Sequence, residues 1–167
     1  HQSSAASDVY KRQYAVQRDP SDIAVGDLDC DGDNDIVSAS AMGHFITTLY
    51  NDGSGGFADR QDVFISNNNS QRAGFVDTAN GVDVEVGDIN GDGINDIVYY
   101  QENIRFVGET FVRPGNLTVL FGSCTDSVNS WSETAITISN PIHISMEVGD
   151  INDDGNDDII LISRDTT

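Results

Sequence analysis

One nine-residue pattern occurs three times, and its spacing restricts the fold more than any other feature of the chain. The copies are Asp27-Leu28-Asp29-Cys30-Asp31-Gly32-Asp33-Asn34-Asp35, Asp88-Ile89-Asn90-Gly91-Asp92-Gly93-Ile94-Asn95-Asp96 and Asp150-Ile151-Asn152-Asp153-Asp154-Gly155-Asn156-Asp157-Asp158. Their starts lie 61 and 62 residues apart. Each is entered through Val-Gly (Val25-Gly26, Val86-Gly87, Val148-Gly149) and left through two β-branched residues (Ile36-Val37, Ile97-Val98, Ile159-Ile160). A period of this size marks a tandem repeat of one supersecondary unit, each copy relying on its neighbours to bury its apolar face.

The chemistry of the nine residues is legible. Asp or Asn at positions one, three and five sets short oxygen-bearing side chains along a tight loop, and position nine is Asp throughout. Position seven varies, as expected of a residue that offers only its backbone carbonyl. Position six is always Gly, as suits a turn that needs a left-handed backbone. Hard oxygen donors at this spacing suit Ca²⁺; Mg²⁺ prefers fewer protein ligands and more water. Without a cation the carboxylates would crowd and repel one another. The alternative is an acidic Asx-rich turn with no metal. An EF-hand does not fit, because it needs Glu at position twelve between two helices, where this chain has Ser38, Tyr99 and Leu161 within strand-like alternation.

The flanks predict strands. Ile23 and Val25 alternate into the first loop and Ile36–Ala39 leaves it, so the loop is a hairpin tip. His44–Tyr50 reads as a third strand, Asn51-Asp52-Gly53-Ser54-Gly55-Gly56 as a turn, and Phe57–Ile65 as a fourth strand, before a polar connection over Ser66–Asn80. The second unit repeats the plan with Val82, Val84 and Val86, then Ile97–Gln101, a longer segment at 102–116, Leu117–Phe121 and Trp131–Ile138. The third has Ile142, Ile144, Met146 and Val148, its loop, and Ile159–Ser163. The predicted class is all-β: a partial β-propeller of about two and a half four-stranded antiparallel blades with ion-binding hairpin loops. A linear array or sandwich of such units is the competitor. We divide the chain into 1–13, a linker or non-native segment holding Lys11, the only lysine; 14–80, the first repeat; 81–140, the second; and 141–167, a third that lacks its last two strands, so that the sequence reads as a fragment. Stacked blades would bury both faces of inner strands, which accounts for runs such as Ile97-Val98-Tyr99-Tyr100.

Loop and flanks together resemble the FG-GAP/VCBS repeat, also found in the seven-bladed head of integrin α chains. The resemblance rests on the thrice-repeated loop between two strands and on Leu49-Tyr50-Asn51-Asp52-Gly53-Ser54-Gly55-Gly56-Phe57 after the first; it covers about residues 20–163. The Phe-Gly-Gly-Ala-Pro signature itself is missing, and the second unit has only Phe121-Gly122-Ser123 where the turn belongs. The resemblance implies about three Ca²⁺ ions, one per repeat. Their ligands would be Asp27, Asp29, Asp31, Asp33 (by its carbonyl) and Asp35; Asp88, Asn90, Asp92, Ile94 (carbonyl) and Asp96; and Asp150, Asn152, Asp154, Asn156 (carbonyl) and Asp158. It further implies a secreted or cell-surface module for adhesion or for binding protein or carbohydrate through segments such as 66–80 and 102–116, with further blades of the same chain as neighbours. The alternative is an accessory scaffold within a secreted polysaccharide-active or other extracellular enzyme.

Composition sets the outer limits. The formal net charge is −20, from 28 acidic and 8 basic residues, which argues against nucleic acid and anionic membranes as partners. No run of 18 apolar residues suits a membrane span. Cys30 and Cys124 are too few for a disulfide framework, although a bridge between them is one option. Asn68-Asn69-Ser70 and Asn116-Leu117-Thr118 are glycosylation triplets. His1, His44 and His143 are scattered, and no nucleophile elbow, zinc cluster or phosphate loop is present. The expectation is therefore a chain with no catalytic residues. Glu85 and Glu147 share one position, three residues before a loop, and read as strand residues facing solvent or a neighbouring blade; lining a central channel is the other reading.

Overall fold

The computed structural model describes residues 11–41, 44–65, 78–107, 110–112, 115–124, 132–138 and 142–164. Most of segment 1–13, the connection at 66–77 with its glycosylation triplet, and Trp131 lie outside these residues.

All regular structure among the described residues is strand. β1 (Pro20–Gly26), β2 (Asp35–Ser40), β3 (Phe45–Tyr50) and β4 (Asp59–Phe64) form an antiparallel meander in chain order. β5 (Thr78–Gly87), β6 (Asp96–Val107), β8 (Gly115–Phe121) and β9 (Ser132–Ile138) form a second, with β7 (Thr110–Val112) folded back on the far end of β6. β10 (Ile142–Gly149) and β11 (Asp158–Arg164) form a third, two-stranded sheet. Each predicted loop sits at the tip of the hairpin joining the first two strands of its sheet, and the closing pairs are equivalent: Gly26 with Asp35, Gly87 with Asp96, Gly149 with Asp158. The sheets are open; none closes on itself among the described residues.

Two local expectations are corrected. The segment 102–116 is not a plain connection: β6 runs on to Val107 and returns as β7, a hairpin extension with Phe106 paired to Phe111. His44 is not in a strand but in the turn before β3, at φ 55°, with its carbonyl accepting from the Ile65 N–H at 2.8 Å. In both places the deciding contacts are between strands, which a single-strand pattern does not register.

The sheets stack through their first strands, β1 against β5 and β5 against β10. Residues of one strand therefore part between two cores. Ile97 and Tyr99 join Ala24, Leu28, Val37, Ala39, Ile46, Val82, Val84 and Leu120 between the first and second sheets. Val98 and Tyr100 join Leu117, Val119 and Met146, with Val148, Ile159 and Leu161 packed against them, between the second and third. Alternation sends successive side chains to opposite faces, so a strand covered on both sides is apolar at every position. Full burial stabilises by about 1.5–3 kcal/mol for each large aliphatic side chain. The second sheet, with a neighbour on either face, is therefore the most strongly held.

Candidate metal centre

The three loops have one backbone design. Position one is a carboxylate that closes the loop on itself: Asp27 accepts from the Gly32 N–H at 3.0 Å, Asp88 from Gly93 at 2.8 Å and Asp150 from Gly155 at 2.9 Å. Position five accepts from the N–H of position seven, as Asp31 from Asp33 at 2.8 Å, Asp92 from Ile94 at 2.9 Å and Asp154 from Asn156 at 2.9 Å. At position three, Asp29 and Asn90 accept from the Asp31 and Asp92 N–H groups at 3.2 and 2.9 Å. The position-six glycines all have positive φ, at 92°, 83° and 90°, as their presence in every copy implies. Position four is left-handed as well, at Cys30 (65°), Gly91 (72°) and Asp153 (59°). The sequence shows this only in the second copy, where the residue is Gly.

Position nine is a latch. Asp35 is fully buried, and its two oxygens accept from the Leu28 N–H at 2.9 Å and the Asn51 N–H at 2.8 Å. Asp96, also fully buried, accepts from Ile89 at 3.0 Å and Gly122 at 2.8 Å. Asp158 accepts from Ile151 at 3.3 Å. In the first two sheets the carboxylate thus ties its own loop to the turn after the third strand. Asn51 and Gly122 are equivalent in register, since Leu49 and Leu120 face Ile36 and Ile97. The short Phe121-Gly122-Ser123 therefore does the work of the longer Asn-Asp-Gly-Ser-Gly-Gly turn. That longer turn is itself held by Asn51, which accepts from the Gly53 and Gly55 N–H groups, and by Asp52, which accepts from Ser54 and Gly56.

Among the described residues, Asp27, Asp29 and Asp35 bring carboxylate oxygens within 4.8 Å of one another. Asp31 is not in that group, yet its charge is felt there. Burial raises the Asp29 carboxyl above its ordinary value, and the neighbouring charges of Asp31 and Asp27 raise it further. Burial likewise raises Asp35 and Asp96, against the N–H groups that lower them, and nearby carboxylates add to the rise. Tyr50, beside this cluster, is pushed up to about 12 by burial and by Asp35 and Asp29. At position one of the third loop, the Gly155 N–H leads a set of backbone donors that hold Asp150 below the usual range. Among the described residues no Lys or Arg pairs with these carboxylates; the ion pair present is Arg60–Asp62. The donor set is all oxygen, and an ionised carboxylate has lone pairs beyond the single N–H each oxygen accepts here. The first loop therefore fits a hard divalent cation. In the second and third loops Asn90 and Asn152 replace the acid at position three, so each carries one charge fewer there. Of the carbonyl positions, Asp33 turns its carboxylate toward Gly53, and Asn156 packs its side chain against Gly91 of the preceding loop.

Two further features tie the loops to neighbouring sheets: a disulfide that the sequence left as one option, and a contact at position eight that the sequence reading did not register. Cys30 is disulfide-bonded to Cys124, just past β8, with a Cα–Cα distance of 5.5 Å, so the first loop is clamped to the second sheet. Position eight joins consecutive loops. Asn95 donates its Nδ2 to the Asp27 carbonyl at 3.0 Å, while Asp157 accepts from the Asp88 N–H and donates its own N–H to the Asp88 carbonyl, both at 2.9 Å. The signal was present, since that position is Asn34, Asn95 and Asp157. The Val-Gly entry belongs to the same contact: a Cβ on Gly26 would lie 2.5 Å from Val86 Cγ1, and one on Gly87 would run into Val148 and lie 2.6 Å from Asp157 Oδ2.

Glu85 lies in the same stack. It is half-buried and pushed up to about 7 by burial first, then by Glu147, Asp22 and Asp83. It therefore faces a neighbouring sheet. No helix among the described residues is long and apolar enough to cross a membrane.

No family model, curated protein or solved structure matches the chain.

Proposed function

We propose that this chain is a run of calcium-stabilised β-propeller blades of the FG-GAP/VCBS kind, acting outside the cell as a non-catalytic module for adhesion or for binding protein or carbohydrate. The observation that carries the reading is the gathering of Asp27, Asp29 and Asp35 within 4.8 Å, where burial and then neighbouring carboxylates raise Asp29 and Asp35 and no Lys or Arg among the described residues pairs with them. Such a cluster weakens the fold until a cation neutralises it. The ion is structural, one for each loop. It pins the hairpin at the inner end of each sheet and so keeps the stacked sheets in register. The Cys30–Cys124 bridge supports an extracellular setting, because disulfides persist in oxidising compartments. Further blades of the same polypeptide would complete the ring, and the β6–β7 extension is the most prominent departure from a plain blade available for ligand recognition.

Extracellular calcium modules bind with dissociation constants of about 10⁻⁴–10⁻³ M. At ten times that concentration each site adds about 1.4 kcal/mol to the folded state. Calorimetric titration of Ca²⁺ into the chelated protein is expected to give about three sites, with an accompanying rise in melting temperature; Asp27→Ala with Asp29→Ala should remove one of them. Absence of binding heat, together with equal melting in EGTA and in 10 mM Ca²⁺, would refute the proposal.

A further inference from the structure

Consecutive loops touch, and the contact has a direction. At each joint the following loop holds the preceding one at position one, the residue that heads its candidate ligand set. The second loop reaches the first with a single bond, from the Asn95 Nδ2 to the Asp27 carbonyl at 3.0 Å. The third holds the second more completely. The Asp157 carboxylate accepts from the Asp88 N–H and the Asp157 N–H donates to the Asp88 carbonyl, both at 2.9 Å, so Asp88 is fixed on either side of its Cα. One residue earlier, the Asn156 side chain lies over Gly91, where a Cβ would stand 3.0 Å from its Cγ. Both holding residues sit inside the third loop's own candidate ligand set. Asn156 is position seven, whose carbonyl would face an ion, and Asp157 lies between it and Asp158. Asp157 also brings a carboxylate against a loop whose position three is Asn90 instead of an acid.

We propose that the loops load cooperatively: an ion in the third loop tightens the site in the second, with Asp157 and Asn156 as the positioning residues that carry the coupling to Asp88 and Gly91. This rests on the reading that the loops hold Ca²⁺. Residues 151–156 are exposed, and without an ion the third loop is held by N–H bonds to the carboxylates of Asp150, Asp154 and Asp158, which repel one another. Fixing a residue's backbone costs conformational entropy. An ion that fixes positions seven and nine of the third loop meets that cost for Asn156 and Asp157. Asp88 then finds its clamp already in place, and a ligand that binds to a part already ordered binds more tightly. Linkage makes the effect reciprocal, so the second ion tightens the third site by the same factor. Repulsion between the two ions opposes the coupling, and the Asp157 carboxylate, in contact with both loops, offsets it. At the first joint one bond from a neutral amide does the same work, so the second loop acts on the first more weakly.

The position-six glycines report each loop separately, because Gly32, Gly93 and Gly155 each donate to the position-one carboxylate of their own loop. The test is titration of Ca²⁺ into the whole isotope-labelled chain, followed by NMR at those three amides. Asp150→Ala with Asp154→Ala disables the third loop. The Gly93 midpoint is then expected to move to about five- to tenfold higher Ca²⁺, and the Gly32 midpoint by less than about twofold. Asp157→Ala removes the clamp but no ligand, and should displace Gly93 equally while Gly155 still responds. Combining the three changes should weaken Gly93 no further. Asp157→Asn keeps an oxygen for the Asp88 N–H and should restore most of the effect. Circular dichroism checks that each variant keeps its strands. A Gly93 midpoint unmoved when Gly155 has fallen silent overturns the proposal and leaves the calcium reading standing. Additive weakening in the combined variant overturns it as well, since Asp157 would then act on the second loop without the third ion. If no glycine of the wild type responds to Ca²⁺, the calcium reading fails and the proposal falls with it.

Discussion

Replacing Gly26 or Gly87 by alanine should cost far more than the same change at Gly149, although all three occupy the same place in their repeats. At Gly26 the new methyl would lie 3.3 Å from Val86 Cβ and 2.5 Å from its Cγ1, the latter about 1 Å or more inside the carbon–carbon contact distance of about 3.5–4.0 Å. At Gly87 it would meet both Val148 and the Asp157 carboxylate that binds Asp88. Valine has few rotamers with which to yield, so the sheets must move apart. Overpacking of this kind costs about 1–3 kcal/mol. At Gly149 the methyl meets nothing within 4 Å and the backbone is not left-handed. There, alanine is expected to be neutral or stabilising by up to about 1 kcal/mol, through the unfolded chain. In a chain of this size 1 kcal/mol shifts the midpoint by roughly 2–4 °C. Thermal melts in EGTA should show Gly26→Ala and Gly87→Ala lower by about 3–10 °C and Gly149→Ala unchanged or slightly higher. Three equal shifts would refute the reasoning, since they would mean that neighbouring sheets do not interlock at these glycines.

Reduction, or Cys30→Ser with Cys124→Ser, opens a link spanning 94 residues; loop entropy makes this worth about 4–5 kcal/mol at most, read as a lower urea midpoint with little change in calcium affinity. Glu85 keeps its proton up to about 7 in the folded protein but only to about 4.5 when unfolded. Its contribution is complete below pH 4.5 and is lost as pH rises through 7. With solvent screening its partly exposed head group, the loss is on the order of 1 kcal/mol; Glu85→Gln should flatten that limb of the stability–pH curve, and an unaltered curve would refute the assignment. Asp35→Ala and Asp96→Ala each strand two backbone N–H groups, whereas Asp158→Ala strands one at an exposed site. Urea titration in calcium should rank Asp158→Ala as the mildest, by roughly 1–3 kcal/mol.

The local design was fixed by short-range chemistry and could be read from the residues alone. Period-two alternation around Ile23–Val25 and Val82–Val86 and the β-branched exit at Ile36–Val37 called for strands, the position-six glycines called for a left-handed turn, and the spaced Asp and Asn residues called for a tight hairpin-tip loop. All of these lie within one hairpin, where a few residues determine the outcome. What the tertiary structure decided is everything that requires two hairpins at once. It turned Asp35 and Asp96 into buried latches for turns some 16 and 26 residues further on, and it joined Cys30 to Cys124. It also made Gly26 and Gly87 the seats for Val86 and Val148. Gly26 and Gly149 hold the same place in their repeats, each between a valine and the position-one Asp. They differ because a side chain from the next sheet rests on one and not on the other.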